Sequence, residues 1–540
     1  MSTLTLPGLS TGIDTAALVQ QLVLAGSQPM KLLQARQATV QNKTSALATL
    51  ESRVGLLKTS LEDLRSAADL RSYTTTSNNE QAVTAESTSE ASEGSHEILV
   101  DRLASAERKV HAGLAALDTT VGAGAFAYTY DGETRTIVTT ADTTLEGLRD
   151  LINNDGGNPG VTASLLEYDA GDGKAFHLVL GGNDTGADFA IAIDDVATTL
   201  DAFDAAGFTT TQAAQNSRVR VDGYPASNWI ERSGNTLDDV LAGVTLHLSA
   251  ASTDPVRINL SRDTASLKAK LQVLITSYNN IVDYAQQKTA YDPATKTGGV
   301  LLGEYTVTNL LQQLRSPLTE RATGFLDGAD AYSLAAQIGL SVDRNGKLTL
   351  DDETLDEALA DNYLAVLDVL GTTGTGASDS VSLKFYGARE GTDAGTYSVK
   401  AQYADSVLVG AWIKKSDEPE SAWRAATVEG NLILGADGQP EQGLQVVGVP
   451  IGAGTVQAEV RVRQGVAGRM FDTIEDSLED AVDLTQARFQ TEVDMYQKSI
   501  DREQLRLERM QTQLTAQYAR LEQTLTLLKA QQGALTGSAA

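Results

Sequence analysis

The residue types that most often carry chemistry are sparse in this chain. Its four histidines, His96, His111, His177 and His247, stand far apart in segments that read as β-structure. No two of them have the spacing of a metal-ligand pair. There is no cysteine, which excludes disulfides, thiolate metal sites and cysteine nucleophiles. The stretch Ser341-Val-Asp343-Arg-Asn345-Gly346, with Asp352 beyond it, echoes a calcium loop but lacks the closing glutamate. Asn-Gly between strand-like segments is also an ordinary hairpin signal. Gly371-Thr-Thr-Gly-Thr-Gly376 has no following Lys-Ser/Thr and no strand–helix context, so it reads as a linker and not a phosphate loop. Carboxylates are so abundant that any pair could be nominated for acid–base work, which makes the nomination empty. The acidic run from Asp472 to Asp483 reads as a solvated helix face, with a docking site for a basic partner as the sharper alternative. With no visible set of nucleophile, base and metal, the expectation is a protein that is not an enzyme and uses no cofactor.

The stronger signal is periodicity at the two ends. Val493, Ile500, Leu507, Leu514, Leu521 and Leu528 recur every seventh residue in a run without Gly or Pro. A weaker second row follows three or four residues later, at Tyr496, Met510, Tyr518 and Leu525. The pattern predicts a helix over 489–532, roughly 60 Å long. One apolar stripe on such a rod needs another helix to cover it. At the other end, Asp14 or Thr15 can cap a first helix whose apolar face is Ala17, Leu18, Leu22 and Ala25. Gly26 ends it, and Pro29 suits the first turn of a second helix predicted from Met30 to Leu70. That helix repeats Val40, Leu47, Val54 and Leu61, with Leu50, Leu57 and Leu64 beside them. No third long helix adjoins either end in sequence, so pairing of the two stripes is preferred over separate local bundles. Residues Thr3 to Thr11 are expected to form an extended tip.

Between the ends the pattern turns to strands. Tyr73 to Gly94 reads as a connector or edge strands, and His96 to Val110 as a strand. Asp131-Gly132 between Phe126–Tyr130 and Thr134–Val138 predicts a tight hairpin. Thr144 to Ile152 reads as a short helix, followed by a second hairpin over Gly160–Leu180. From Arg218 through Asn235 to Leu248 the same order is expected: strand, turn, short helix and strand. Ser266–Lys288, Tyr305–Leu318 and Leu355–Leu370 read as helices. Gly371–Ala377 is expected to be a linker, and Val381–Val462 a last β-rich stretch holding Trp412 and Trp423. The fold class is therefore α+β and multidomain: long terminal helices forming a coiled-coil leg, a helical base, and inserted β-rich heads. The expected divisions are a leg over 1–71, a β-rich head over 72–112 and 215–263, and a further β-rich domain inserted at 113–214. The base occupies 264–370, an extra β-rich insertion 371–464, and the second leg helix 465–540.

The totals narrow the class. At 540 residues the chain is long enough for several domains. A net charge of −29 argues against nucleic acid and anionic membrane surfaces as partners. The start lacks a basic stretch followed by an apolar one, so no cleavable secretory signal is expected. No apolar run of about 18 residues exists, so no membrane insertion is expected.

Several short motifs, in order, resemble the flagellar hook-associated protein 2 (FliD) family. Leu9-Ser-Thr-Gly-Ile-Asp14, Leu18-Val-Gln-Gln-Leu22 and Gln28-Pro29 look like that family's opening. Thr144-Leu-Glu-Gly-Leu-Arg-Asp-Leu-Ile-Asn153 with Gly160-Val-Thr-Ala-Ser164 resembles the flagellin IN motif. Asn235–Leu246, Tyr278-Asn279-Asn280, Ile338–Val342 with Asp343–Leu348, and Gly465–Met470 follow in the family's order. The stretch Ser378–Val462 departs from it as an added insertion, and Leu528–Leu535 follows the family's ending only loosely. The resemblance implies a filament cap, exported without signal cleavage and working outside the cell at the flagellum tip. It implies a homo-oligomeric ring of about four to six copies, with flagellin, hook-filament junction proteins and, through the C-terminal helix, an export chaperone as partners. Leg and flagellin contacts are then expected from Leu18, Leu22, Val40, Leu47, Val54, Leu61, Val493, Ile500, Leu507, Leu514, Leu521, Leu525 and Leu528. Two alternatives stand beside the cap. One is another hook-filament junction protein. The other is an adhesin binding glycans through the β-rich heads, which requires exposed aromatics such as Tyr403, Trp412 or Trp423.

Overall fold

A computed structural model describes residues 14–389 and 391–537 of the chain. The expected tip at Thr3–Thr11 lies outside the described residues. The helices are α1 (Thr15–Gly26), α2 (Gln28–Glu62), α3 (Ala67–Leu70), α4 (Leu145–Asn153), α5 (Thr264–Thr289), α6 (Tyr305–Thr319), α7 (Asp352–Gly371), α8 (Val466–Thr473) and α9 (Glu479–Gly537). The described parts of Met1–Leu70 and Leu267–Ala540 form one compact unit, and Arg71–Ser266 forms a second.

The first unit is built on α2. Asp14 caps α1 by accepting from the Ala17 N–H at 2.9 Å, and Pro29 sits in the first turn of α2. The predicted run to Leu70 is corrected: α2 stops at Glu62 and a turn leads into α3. The turn lets both Leu64 and Leu70 enter the core beside α7. Gly371 permits this, because a Cβ there would lie 2.0 Å from the Leu64 carbonyl oxygen. Leu47, Leu50, Leu57 and Leu61 of α2 share one core with Leu271, Leu274 and Tyr278 of α5, Leu310 and Leu314 of α6, and Val366 of α7. The core continues through Met470 and Phe471 of α8 to Phe489 and Val493 of α9. The two terminal stripes do pair, and a third helix joins them. The lower part of α2 has two apolar sides, and α5, distant in sequence, covers the second. Tyr284 confirms the contact by donating to the Ala46 carbonyl at 3.1 Å.

The same unit carries an eight-stranded antiparallel sheet. Its strand order is Thr373–Ser378, Gly454–Gln464, Gly395–Ala404, Val407–Lys415, Arg424–Glu429, Leu432–Leu434, Leu444–Gly448 and Leu383–Ala388. The two outermost strands are joined by a turn, and the Ser378 hydroxyl reaches the Leu383 carbonyl. The sheet therefore curls onto itself around Leu383, Tyr397, Val399, Ile413, Ile433 and Val460. The expected linker at Gly371–Ala377 is in fact its first strand. The glycines belong there for packing: a Cβ on Gly376 would meet the Phe385 ring at 2.5 Å.

In the second unit a five-stranded sheet runs Tyr73–Ser77, Val256–Arg262, Gly94–Arg102, Ser217–Val221 and Ile230–Arg232. A three-stranded sheet, Thr236–Leu241, Val244–Leu248 and Val83–Ser87, shares its core. Where a short helix is expected before the last strand of Arg218–Leu248, Thr236–Leu241 is a strand. It pairs antiparallel with Val244–Leu248, with a shift of register between Leu237 and Leu241, the turn is made by Gly243 at φ +71°, and Asn235 bonds both backbone groups of Ala104. The strand expected over His96–Val110 is two strands, broken after Arg102. A separate core joins the four-stranded sheet Phe208–Gln212, Arg108–His111, Phe176–Gly182, Val161–Glu167 to a three-stranded one and α4. There Thr144 caps α4 through the Gly147 N–H, and Leu145, Leu148 and Ile152 are buried.

Candidate functional site: the paired terminal helices

The upper part of α2, with α1, lies along α9, and the two ends of the chain run antiparallel. Gln37 donates to Gln497 at 2.8 Å. Arg506 donates to the Gly26 carbonyl at 2.8 Å, and the Thr15 hydroxyl to Glu522 at 3.1 Å. Gly26 lets the helices close up, since a Cβ there would lie 3.3 Å from the Met510 sulfur. At the foot of the pair, Glu304 before α6 accepts from Lys43 of α2 and Arg488 of α9. Burial acts to raise the Glu304 carboxyl, but the two cations outweigh it and hold it below the usual glutamate range.

The predicted contact residues divide into two groups. Val40, Leu47, Val54 and Leu61 are buried, as are Val493, Ile500 and Leu507. Their apolar surface is covered within the chain. Leu18, Leu514 and Leu525 are half-buried. Leu22, Leu521 and Leu528 are 37%, 53% and 54% exposed. The face of α1 that meets α9 is Thr15, Val19 and Gly26, one residue round from the expected Leu18–Leu22 face. Helix α1 is apolar on several sides, so its stripe alone does not select the buried one. Sequence reasoning also passed over Leu24, Leu32, Met495 and Leu527, each more than half exposed.

Towards its end, among the described residues, α9 accepts from Thr15 of α1 at Glu522, and Leu527 is 63% exposed. Leu56, Leu484 and Leu505 also face water along the leg. The acidic run places Asp472, Glu475, Asp476, Asp480 and Asp483 on the solvent side, while Ile474 and Val482 turn inward. Among the described residues no helix is long and apolar enough to cross a membrane.

The other singled-out residues have structural partners. Asp343 accepts from the Asn345 and Lys347 N–H groups at 2.8 Å each, closing the hairpin at Gly346. His96 bonds Asp222 at 2.8 Å. His111 stacks on Phe203 with ring centroids 4.1 Å apart, and its burial lowers the imidazole pKa. Of the aromatics an adhesin requires, Tyr403 lies in the core of the curled sheet. Trp423 is half-buried beneath the Lys400 ammonium, 4.3 Å from the ring centroid, and donates to Glu420.

Comparison with known proteins places this architecture. Residues 214–530 match the family described as flagellar hook-associated protein 2 C-terminus, and residues 11–107 match its N-terminus. Flagellar hook-associated protein 2 of Escherichia coli K12 is 29% identical over 386 residues, covering 66% of this chain and 78% of that protein. The A-type flagellar hook-associated protein 2 of Pseudomonas aeruginosa is 26% identical over 394 residues, covering 67% and 79%. The crystal structure of the flagellar cap protein FliD D1-D2-D3 domains from Escherichia coli superposes with a TM-score of 0.50 at 29% identity, covering 60% of this chain and 89% of that one. With both terminal matches in order and the C-terminal one spanning more than half of the chain, this protein belongs to the flagellar hook-associated protein 2 family.

Proposed function

We propose that this protein caps the growing flagellar filament, outside the cell at the filament tip, as a homo-oligomer whose terminal helices dock on filament subunits. Its family carries the reading, together with the solved Escherichia coli relative described as a flagellar cap protein. The role is mechanical and not catalytic.

The leg supplies the physical means. Its lower half is fixed by the shared core at Leu47, Leu57 and Val493. Its upper half is a thin helical hairpin that leaves Leu521, Leu527 and Leu528 to water. Burying one such leucine contributes about 1.5–3 kcal/mol. A few of them docking between filament subunits bind firmly, yet each leg can be released when an incoming flagellin subunit takes its place. A net charge of −29 resists aggregation of free copies while the apolar tips select their seat. A ring of about four to six copies suits closed rotational symmetry. Hook-filament junction proteins serve as the first docking surface, and an export chaperone covers the apolar end of α9 before secretion.

The experiment is to replace Leu521, Leu525 and Leu528 together by serine in the full chain. The expected result is a folded protein that no longer binds filament ends in electron micrographs, with flagellin lost into the medium as monomer. Normal filament growth with the triple variant overturns the docking role of this end.

A further inference from the structure

The second unit holds a groove that the capping role does not use. It runs for 660 Å³ along the strand Glu133–Thr139, with α4 forming its other wall. The strand pairs on one side with Gly124–Tyr130 and is the edge of its sheet on the other. The two-residue turn at Asp131-Gly132 makes Tyr130 and Glu133 a hydrogen-bonded pair. Alternation then turns the N–H and C=O groups of Thr134, Thr136 and Val138 towards the open side.

Proteins usually guard such an edge with lysine, proline, a bulge or a covering segment. Here none of these stands at Thr134, Thr136 or Val138, and all three side chains are exposed. Across the groove, Gly147 of α4 contributes no side chain to narrow it. The apolar groups on its walls are exposed too, Val138 at 71% and Leu151 at 42%. An edge strand facing a helix across an open groove is the arrangement by which an extended peptide adds to a sheet while its alternate side chains fill the cleft.

Charge selects the occupant. Asp142, Asp150 and Asp155 line the groove. Asp155 is tied to Arg135 and Asp150 to Arg149, each at 2.6 Å. Asp142 has no cation beside it among the described residues. We infer that this groove binds an extended segment of another protein, in which apolar residues alternate with lysine or arginine, by adding it as a strand beside Glu133–Thr139. A second copy of this chain, with the same −29 charge, complements the carboxylates less well.

The test titrates the full-length protein into a fluorescent peptide of roughly nine residues, blocked at both ends, alternating valine and lysine. The control peptide carries glutamate for lysine. Val138→Pro removes an outward-facing donor at an edge position where proline is tolerated. Gly147→Gln fills the groove from the helix, where a new Cβ meets nothing closer than 3.5 Å. The lysine peptide is expected to bind about tenfold tighter than the glutamate peptide, and each variant to weaken it about tenfold with unchanged far-ultraviolet circular dichroism. Equal binding of the two peptides, unaltered binding by both variants, or no binding of the lysine peptide overturns the inference. So does self-association of the parent that Val138→Pro abolishes, because the edge then belongs to a second copy.

Discussion

Lys43 donates to one oxygen of Glu304 at 2.6 Å, while Arg488 donates to the other at 2.9 Å. One carboxylate thus joins α2 to α9, helices that meet only because the ends of the chain meet. The two cations hold the Glu304 carboxyl below its ordinary value of 4.5 despite burial. A carboxyl lowered in the folded state contributes stability at neutral pH that is lost as pH falls through its folded value. The helical unit is therefore expected to weaken as pH drops below the ordinary glutamate range. Glu304→Gln should cost about 1–3 kcal/mol at pH 7 and flatten that part of the acid dependence. Urea unfolding at pH 7 and at pH 4, followed by circular dichroism, measures both. An unchanged acid response in the variant sinks the assignment.

Leu50 and Leu521 separate folding from docking. Leu50 is fully buried in the core shared by α2 and α5–α7. Leu50→Ala should lower stability by about 2–5 kcal/mol. Leu521→Ser, on the exposed side of α9, should change stability by less than about 0.5 kcal/mol while reducing binding to filament ends. Paired unfolding and pelleting assays check this. A Leu521→Ser protein that binds as the parent does places the contact elsewhere on the leg.

The helical repeats made much of this legible. A strict sevenfold recurrence from Val493 names a rod and requires a partner, and the matching stripe at Val40–Leu64 is that partner in its upper half. The lower half was not legible, because Leu47 and Leu57 look the same in sequence whether α9 or α5 covers them. The strand at Thr236–Leu241 was missed because Leu237, Val240 and Leu241 sit at helical spacing, and only the pairing with Val244–Leu248 decides otherwise. The first strand of the curled sheet was hidden by its glycines, which serve close packing against Phe385 and not flexibility. The groove beside Glu133–Thr139 had half a signal. The Asp-Gly hairpin was visible, but that one of its strands is an unguarded edge depends on the sheet order.

Arg424 and Glu441 set the stability of the curled sheet. Glu441 is fully buried, and Arg424 donates to it at 2.6 Å while also reaching Glu418. These two carboxylates hold the Arg424 guanidinium well above its ordinary pKa, so it stays charged. Arg424→Leu strands the Glu441 charge in the interior and should cost about 3–5 kcal/mol. The double change Arg424→Leu with Glu441→Leu should recover much of that loss, since the fully buried charge is then gone and the less buried Glu418 keeps the Lys415 N–H. Thermal unfolding of the parent and the two variants checks the order. A single variant as stable as the parent shows that the pair is not what holds this end of the sheet.

Gly26 and Met510 test how closely the leg must pack. A Cβ at Gly26 meets the Met510 sulfur at 3.3 Å and Leu507 Cδ2 at 3.5 Å. The methionine end is flexible enough to yield a few tenths of an ångström, so Gly26→Ala should be nearly neutral, helped by alanine's better helix propensity of roughly 1 kcal/mol. Gly26→Leu adds volume that cannot be accommodated by one side chain and should cost about 1–3 kcal/mol locally. The cost should fall on α1, which meets α9 at Gly26 through Arg506 and, at its other end, at Thr15 through Glu522. Amide exchange of Thr15–Gly26 should quicken in Gly26→Leu while that of α5 and α7 stays as in the parent. Filament-end binding should fall with it, because a splayed leg no longer presents Leu521 and Leu528 beside α1. Unchanged exchange in Gly26→Leu means that α1 and α9 have room to spare, and the close approach at Gly26 is then not what sets the shape of the leg.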